Sequence, residues 1–360
     1  MVHTATITCM LSKNEYRNFI QLSESVWYQQ EKKYHNDSYR DDGIRIVAYE
    51  VYEQKIFKGR VASCRINFKR LIEKDDKISV YVEADHDKVV KRFNEIMQML
   101  QLPTWTYWTV NRMDYCVNVK TPYAKEYIAL FQKGDIPSHQ RLSYDRRTRN
   151  KSHKDGSLYL PARARDSRKR KNKTGSQTIN FYDKQDELIK ENATAEEIEQ
   201  AKDILRLEVQ CNYPKLDYIK RKYDLDRDLD TLLNAEISVE VLQRAILQVC
   251  HKGEYCRRSE ALRRIDECRC HKSTKDKLKL IIKAVAKQRQ SISKVRDKFI
   301  EDGTMTREQF RNYIYKLDEL NINPVTISDN THLQDKKLKE GLSNIYDLFF
   351  DAVMQEVNEP

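Results

Sequence analysis

A tyrosine and two carboxylates stand out because each lies on the polar side of an otherwise apolar, alternating segment. Read with a period of two, residues 175–187 (GSQTINFYDKQDE) direct Ile179 and Phe181 inward and place Thr178, Asn180, Tyr182 and Lys184 on the opposite face. Trp108 to Val119 separates Met113, Tyr115, Val117 and Val119 from Arg112, Asp114, Cys116 and Asn118 in the same way. Ile204 to Asn212 sets Leu205, Leu207, Val209 and Cys211 against Arg206, Glu208 and Gln210. One sheet that buries all three apolar faces brings Tyr182, Asp114 and Glu208 together on its other side. Two facing carboxylates repel unless a cation sits between them, and oxygen ligands suit Mg²⁺ or Mn²⁺. Such an ion polarises a phosphodiester, so that Tyr182 can attack phosphorus, form a phosphotyrosine and free a 3′-hydroxyl. Lys184, next on that face, could lower the phenol pKa or hold the phosphate. Glu187 reads first as a surface residue, and is the first candidate to activate water in a later step. The competing reading pairs Asp114 and Glu208 with their neighbours Arg112 and Arg206 as surface ion pairs.

The charge distribution names a partner for this chemistry. The 360-residue chain carries a formal net charge of +11, and Arg141 to Lys173 holds 13 Lys or Arg against three acids. A polyanion, DNA above all, suits such a segment. Arg146, Arg147, Arg149, Arg163, Arg165, Arg168, Lys169, Arg170 and Lys171 are its candidate phosphate contacts, and a solvated basic loop is the alternative. It leads directly into the Tyr182 strand.

Around these segments the pattern predicts an α+β first domain. Val2 to Leu11 reads as a strand rather than a signal peptide. Ser12 and Glu15 form a capping box opening a helix with Tyr16, Phe19, Ile20 and Trp27. Arg45 to Gln54, Arg60 to Leu71 and Lys77 to Ala84 alternate as strands. Asp85 caps a helix bearing Val89, Phe93, Ile96 and Leu100, and Pro122 to Gln132 and Glu196 to Asp203 read as helical. Beyond Pro214 only helices are expected, so the boundary falls between Pro214 and Leu232. This gives an endonuclease-like domain over 1–220, an antiparallel sheet flanked by helices, and an all-helical domain over 221–360. Within the latter, Ser291 to Ile300, a Gly303 turn and Thr306 to Leu320 resemble a helix-turn-helix with Arg311, Asn312 and Tyr315 outward. An ordinary helical hairpin is the alternative, favoured by Glu308 and Glu319 on the same face.

Three motifs in order, Asn111-Arg-Met-Asp-Tyr115, Asn180-Phe-Tyr-Asp-Lys-Gln-Asp-Glu187 and Leu205-Arg-Leu-Glu-Val-Gln210, resemble those of rolling-circle replication initiators. The pattern is most similar to phage and plasmid initiators related to the filamentous-phage gene-two and gene-X replication proteins, and also to the Gram-positive plasmid initiators. The resemblance implies a Rep-type endonuclease domain in which Tyr182 is the nicking nucleophile and Asp114 and Glu208 lie in the metal site. It implies a covalent 5′ link to DNA and a 3′-hydroxyl primer. The two-histidine metal motif of the broader superfamily is missing among the eight histidines, which requires a carboxylate-based site with a third ligand unassigned. Members use one or two tyrosines, and neither Tyr159 nor Tyr213 is selected as a second.

Other features narrow the classes. No glycine-rich phosphate loop is present, so a host helicase, besides the polymerase, is expected to act with the chain. Cys250, His251, Cys256, Cys268, Cys270 and His271 are dense, but their spacing fits no finger with two close cysteine pairs, and free thiols are the reading for all eight cysteines. With no apolar span, a cytoplasmic protein is expected, without a membrane partner and with homo-oligomerisation open. A relaxase for mobile-element transfer and a non-catalytic DNA-binding regulator are the alternatives to an initiator.

Overall fold

The computed structural model describes residues 1–137, 140, 157–161, 176–287, 291–329 and 341–358. Among them, nine strands form one sheet in the order β2-β3-β4-β5-β1-β6-β9-β8-β7, every neighbouring pair antiparallel. The strands are β1 (Val2–Leu11), β2 (Ser25–Tyr28), β3 (Lys33–Asn36), β4 (Ile44–Glu53), β5 (Ile56–Asn67), β6 (Thr109–Lys120), β7 (Ser157–Leu160), β8 (Gln177–Asp183) and β9 (Ile204–Asn212). The helices on the first part of the chain are α1 (Lys13–Gln21), α2 (Phe68–Ile72), α3 (His86–Met99), α4 (Ala124–Phe131), α5 (Lys184–Lys190) and α6 (Ala195–Gln200). There follow α7 (Tyr213–Tyr223), α8 (Leu229–Leu232), α9 (Ala235–Cys250), α10 (Arg258–Glu267), α11 (Lys272–Val285), α12 (Ile292–Glu301), α13 (Arg307–Glu319) and α14 (Ile345–Asn358). The chain is thus mixed α+β, with an antiparallel sheet and a helical C-terminal part.

Alternation explains which face is covered. Ala5, Ile7, Cys64, Ile66, Met113, Tyr115, Val117, Phe181, Leu207 and Val209 are all buried on one side. Against the strands pack α1, α2, α4, α7, α9 and α14. Phe181 of β8 meets Phe131 of α4 at 4.8 Å and Phe349 of α14 at 5.8 Å, so the strand carrying Tyr182 is clamped by one helix that precedes it and one that follows it in the chain. Helices α10 to α13 pack chiefly on one another.

Local chemistry sets the boundaries. Ser12 and Glu15 make the expected capping box. The helix stops at Gln21, however, and Trp27 lies in the edge strand β2, largely exposed. Lys77 to Ala84 is not a strand: Asp76 accepts from the amides of Ile78 and Ser79, and only Tyr81 bridges to Val2. Those side-chain bonds satisfy backbone that would otherwise need a neighbouring strand. Phe68 to Ile72 leaves β5 for a helix because the Asn67 side chain caps the Arg70 amide. Between β4 and β5, Gln54 and Lys55 both adopt positive φ, 50° and 69°, in a two-residue hairpin turn. Among the described residues no helix is long and apolar enough to cross a membrane.

One contact ties the sheet side to the helical part with no room to spare. A Cβ on Gly134, just after α4, would lie 2.1 Å from the Val249 carbonyl oxygen in α9. Gly134→Ala is therefore expected to lower stability by about 1–3 kcal/mol through overpacking, read as a lower urea midpoint with the m-value unchanged.

Candidate active site on the polar face of the sheet

Strand register brings the three motif residues onto one face. Asp114 stands opposite Gln210, Glu208 stands between Cys116 and Asn180, and Tyr182 stands opposite Arg206. They occupy successive rows, each a two-residue step of about 7 Å along the strands. The Tyr182 hydroxyl lies 3.4 Å from Glu208 Oε2. Glu208 Oε1 accepts from Gln210 Nε2 at 2.8 Å, and His3 Nδ1 is 3.5 Å from Oε2. Asp114 receives Arg112 through Nε and Nη2, each at 2.7 Å, and the Thr4 hydroxyl at 2.5 Å.

His3 is the member that alternation conceals. Val2 pairs with Tyr115 and Thr4 with Asp114, leaving His3 as the extra residue of a β-bulge. The bulge lets His3 reach Glu208 although its neighbour Thr4 reaches Asp114 on the same face. Strict period two puts His3 and Thr4 on opposite faces. Only the residue type was available as a signal.

The polar face here is not solvated, which corrects the expectation that Arg206 and Glu208 face out. Arg206 is fully buried; its Nε donates to Asn118 Oδ1 at 2.8 Å and its Nη2 to the Ile78 carbonyl. The turn around Ile78 roofs this end of the face, and the same carbonyl accepts from Asn118 Nδ2 at 3.0 Å. Tyr182 is only 6% exposed. Side-chain exposure is 1% at Asp114, 10% at Glu208, 21% at His3 and 31% at Arg112. Arg112 and His3 are the most accessible members.

Burial and charge split the titrations. Burial raises the Tyr182 phenol well above its ordinary value, against the pull of the Arg206 charge, and Glu208 adds to the rise. Burial also raises Asp114, partly offset by Arg112. For Glu208 burial is outweighed by His3, Gln210 and Arg206, which bring its carboxyl down to about 2. Glu208 is therefore the firmly charged carboxylate of the two.

Lys184 is placed differently from the strand reading. Strand β8 ends at Asp183, whose carboxylate accepts the Gln185 and Asp186 amides at 3.0 and 3.2 Å and starts α5. Lys184 opens that helix, buried, and pairs with Glu187 at 2.5 Å. Burial and the Arg206 charge lower its pKa. The cation that acts on the phenol is Arg206. Tyr159 stands opposite Asn180 on the same face and acts electrostatically on Arg112, whereas Tyr213 is exposed at the start of α7 with Arg227 over its ring.

The candidate DNA contacts fall into two groups. Arg146, Arg147, Arg149, Arg163, Arg165, Arg168, Lys169, Arg170 and Lys171 lie outside the described residues. Helices α12 and α13 form as expected, with the Thr306–Gln309 capping box in place and Phe310, Ile314 and Leu317 buried. Arg311, Asn312 and Tyr315 are exposed, Arg311 within 3.8 Å of Glu308.

No family model, curated protein or solved structure matches the chain. The chemistry open to the site follows from its own donors and acceptors. Among the described residues no three His, Cys, Asp or Glu side chains gather as a ready metal cage. The pair that fits a divalent ion is Glu208 with His3, whereas Asp114 has both oxygens engaged by Arg112 and Thr4. An imidazole beside a carboxylate suits Mn²⁺ better than Mg²⁺. The eight cysteines are free thiols, Cys268 and Cys270 being the two not buried.

Because the folded pKa of Glu208 lies below its ordinary 4.5, the stability it contributes is present above that value and is lost as pH falls toward about 2. Glu208→Gln should therefore be less stable than wild type at pH 7, by on the order of 3 kcal/mol. Urea midpoints at pH 7 and pH 3 check this, and the gap should narrow at pH 3.

Proposed function

We propose that this chain is a replication initiator of the rolling-circle type that nicks one DNA strand through Tyr182. The observation that carries the reading is the Tyr182 hydroxyl 3.4 Å from Glu208 on a sheet face shared with Asp114. Three separate sequence motifs thereby supply one constellation. The antiparallel sheet with helices on its apolar face is compatible with a Rep-type endonuclease domain, and the helical C-terminal part offers α12 and α13 for choosing the origin.

Each residue has a role in this reaction. Tyr182 attacks phosphorus, its oxygen replacing the 3′ oxygen of the broken bond, which leaves as the 3′-hydroxyl. Glu208 faces the phenol hydroxyl and orients it, the phenol proton ends on the departing 3′ oxygen, and the Arg206 charge favours the phenol oxygen as negative charge develops on it. Arg112, the most accessible member, is the group that meets an incoming phosphate. A divalent ion, when bound, supplies charge neutralisation at the non-bridging oxygens. Glu208 and His3 would hold it, joined by Asp114 once Arg112 turns to the phosphate. Lys184 and Glu187 support the start of α5 beside the tyrosine. Host polymerase extends the freed 3′ end and a host helicase opens the duplex.

The burial of Tyr182 gives a second reading its footing: a DNA-binding regulator in which the phenol is structural. A relaxase would share the nicking chemistry. Incubation with single-stranded origin DNA and Mn²⁺ or Mg²⁺ decides between nicking and regulation. Wild type is expected to give an adduct that survives denaturation, Tyr182→Phe none, and Glu208→Gln and Asp114→Asn at least 100-fold less, each still binding DNA in a salt-dependent manner. An equal adduct yield from Tyr182→Phe would sink the assignment.

A further inference from the structure

Cross-strand register lines up three arginines in one row leading to the site. Arg45 of β4 stands opposite Arg65 of β5, Arg65 opposite Thr6 of β1, and Thr6 opposite Arg112 of β6. All four residues are on the polar face, and with strands about 4.8 Å apart the row covers about 14 Å. Arg45 and Arg65 are exposed. Like charges directly opposite each other disfavour a sheet, so this arrangement is not explained by stability. Arg45 has Asp37 at 3.2 Å and Arg112 has Asp114, but among the described residues no carboxylate pairs with Arg65. Beyond the Arg45 end and two steps along the strands, Tyr28 of β2 is exposed on the same face with its ring 4.2 Å from that of His35, whose Nδ1 lies 3.4 Å from Arg45 Nη2.

We propose that the row Arg45, Arg65, Arg112 binds the phosphate backbone of single-stranded DNA and leads it along the polar face toward Asp114, Glu208 and Tyr182. This deepens the nicking assignment and rests on it for what happens at the end of the row. The charge is of one sign where a polyanion needs it, the small Thr6 leaves the path between Arg65 and Arg112 low, and the row ends at the accessible edge of the candidate site. Single-stranded DNA is the occupant because an exposed tyrosine ring can stack on an unpaired base and not on one sealed in a duplex. In sequence the row is distinct from both the basic segment and the α12–α13 hairpin.

The test is binding of fluorescent oligothymidylate to the full chain in a NaCl series, performed in the Tyr182→Phe background so that it reads the row whether or not the chain nicks. Arg45→Ser/Arg65→Ser is expected to weaken binding at least tenfold at low salt. It should also reduce the slope of log affinity on log salt by about 1 to 1.5, the amount for two phosphate contacts on a single strand. The thermal midpoint should hold or rise, because opposed charges are removed. Arg65→Glu alone should weaken binding further than Arg65→Ser. Unchanged affinity and slope in the double variant would overturn the proposal, as would an equal loss for a duplex of the same length. If the row behaves as expected but wild type forms no adduct on origin DNA, the nicking assignment fails and the binding face stands.

Discussion

The pairing of β6 with β9 is the constraint on which the site depends. With Asp114 opposite Gln210 and Cys116 opposite Glu208, both carboxylates lie on the face away from the helices. A slip of one residue would turn Asp114 and Glu208 into the apolar layer and bring Met113 and Val209 out of it. The buried side chains on β6 and β9 therefore fix the position of the acids more firmly than any contact the acids make. The Phe131–Phe181–Phe349 contacts do the same for β8, and hence for Tyr182.

Given that register, electrostatics has few solutions. Two carboxylates and a phenol in a dry patch are unfavourable as anions unless cations accompany them. Arg112 and Arg206 supply that compensation, and His3 adds a polar partner. Arg112 makes a two-pronged bond to Asp114, His3 meets Glu208 from a bulge, and Arg206 is anchored by Asn118 and Ile78 with its charge beside Tyr182. The two acids end with opposite displacements of pKa, which distinguishes a carboxylate that stays charged from one raised by burial despite its arginine.

Much of this was legible in the sequence because alternation is strong where one face is apolar. The strands β1, β4, β6, β8 and β9 follow from it, as do the shared face of Asp114, Glu208 and Tyr182 and the capping boxes at Ser12 and Thr306. What was not legible depends on tertiary contact. The bulge that turns His3 inward leaves no mark on the pattern. Burial of Arg206 requires the Ile78 turn to fold over it from a distant segment. Short β2, β3 and β7 are too brief to show a period, and the β4–β5 turn uses Gln54 and Lys55 where glycine or asparagine would have announced it. Lys184 was misplaced by one step because Asp183 caps a helix where the alternation continued on paper.

The roof made by the Ile78 turn has one further consequence. With Arg206 fixed beneath it, the guanidinium beside the phenol is held by a segment that contributes no strand to the sheet. The surroundings of Tyr182 are thereby tied to the folding of residues 76–79, and a change that loosens that turn would also release the charge next to the tyrosine, although the turn touches none of the motif residues in sequence.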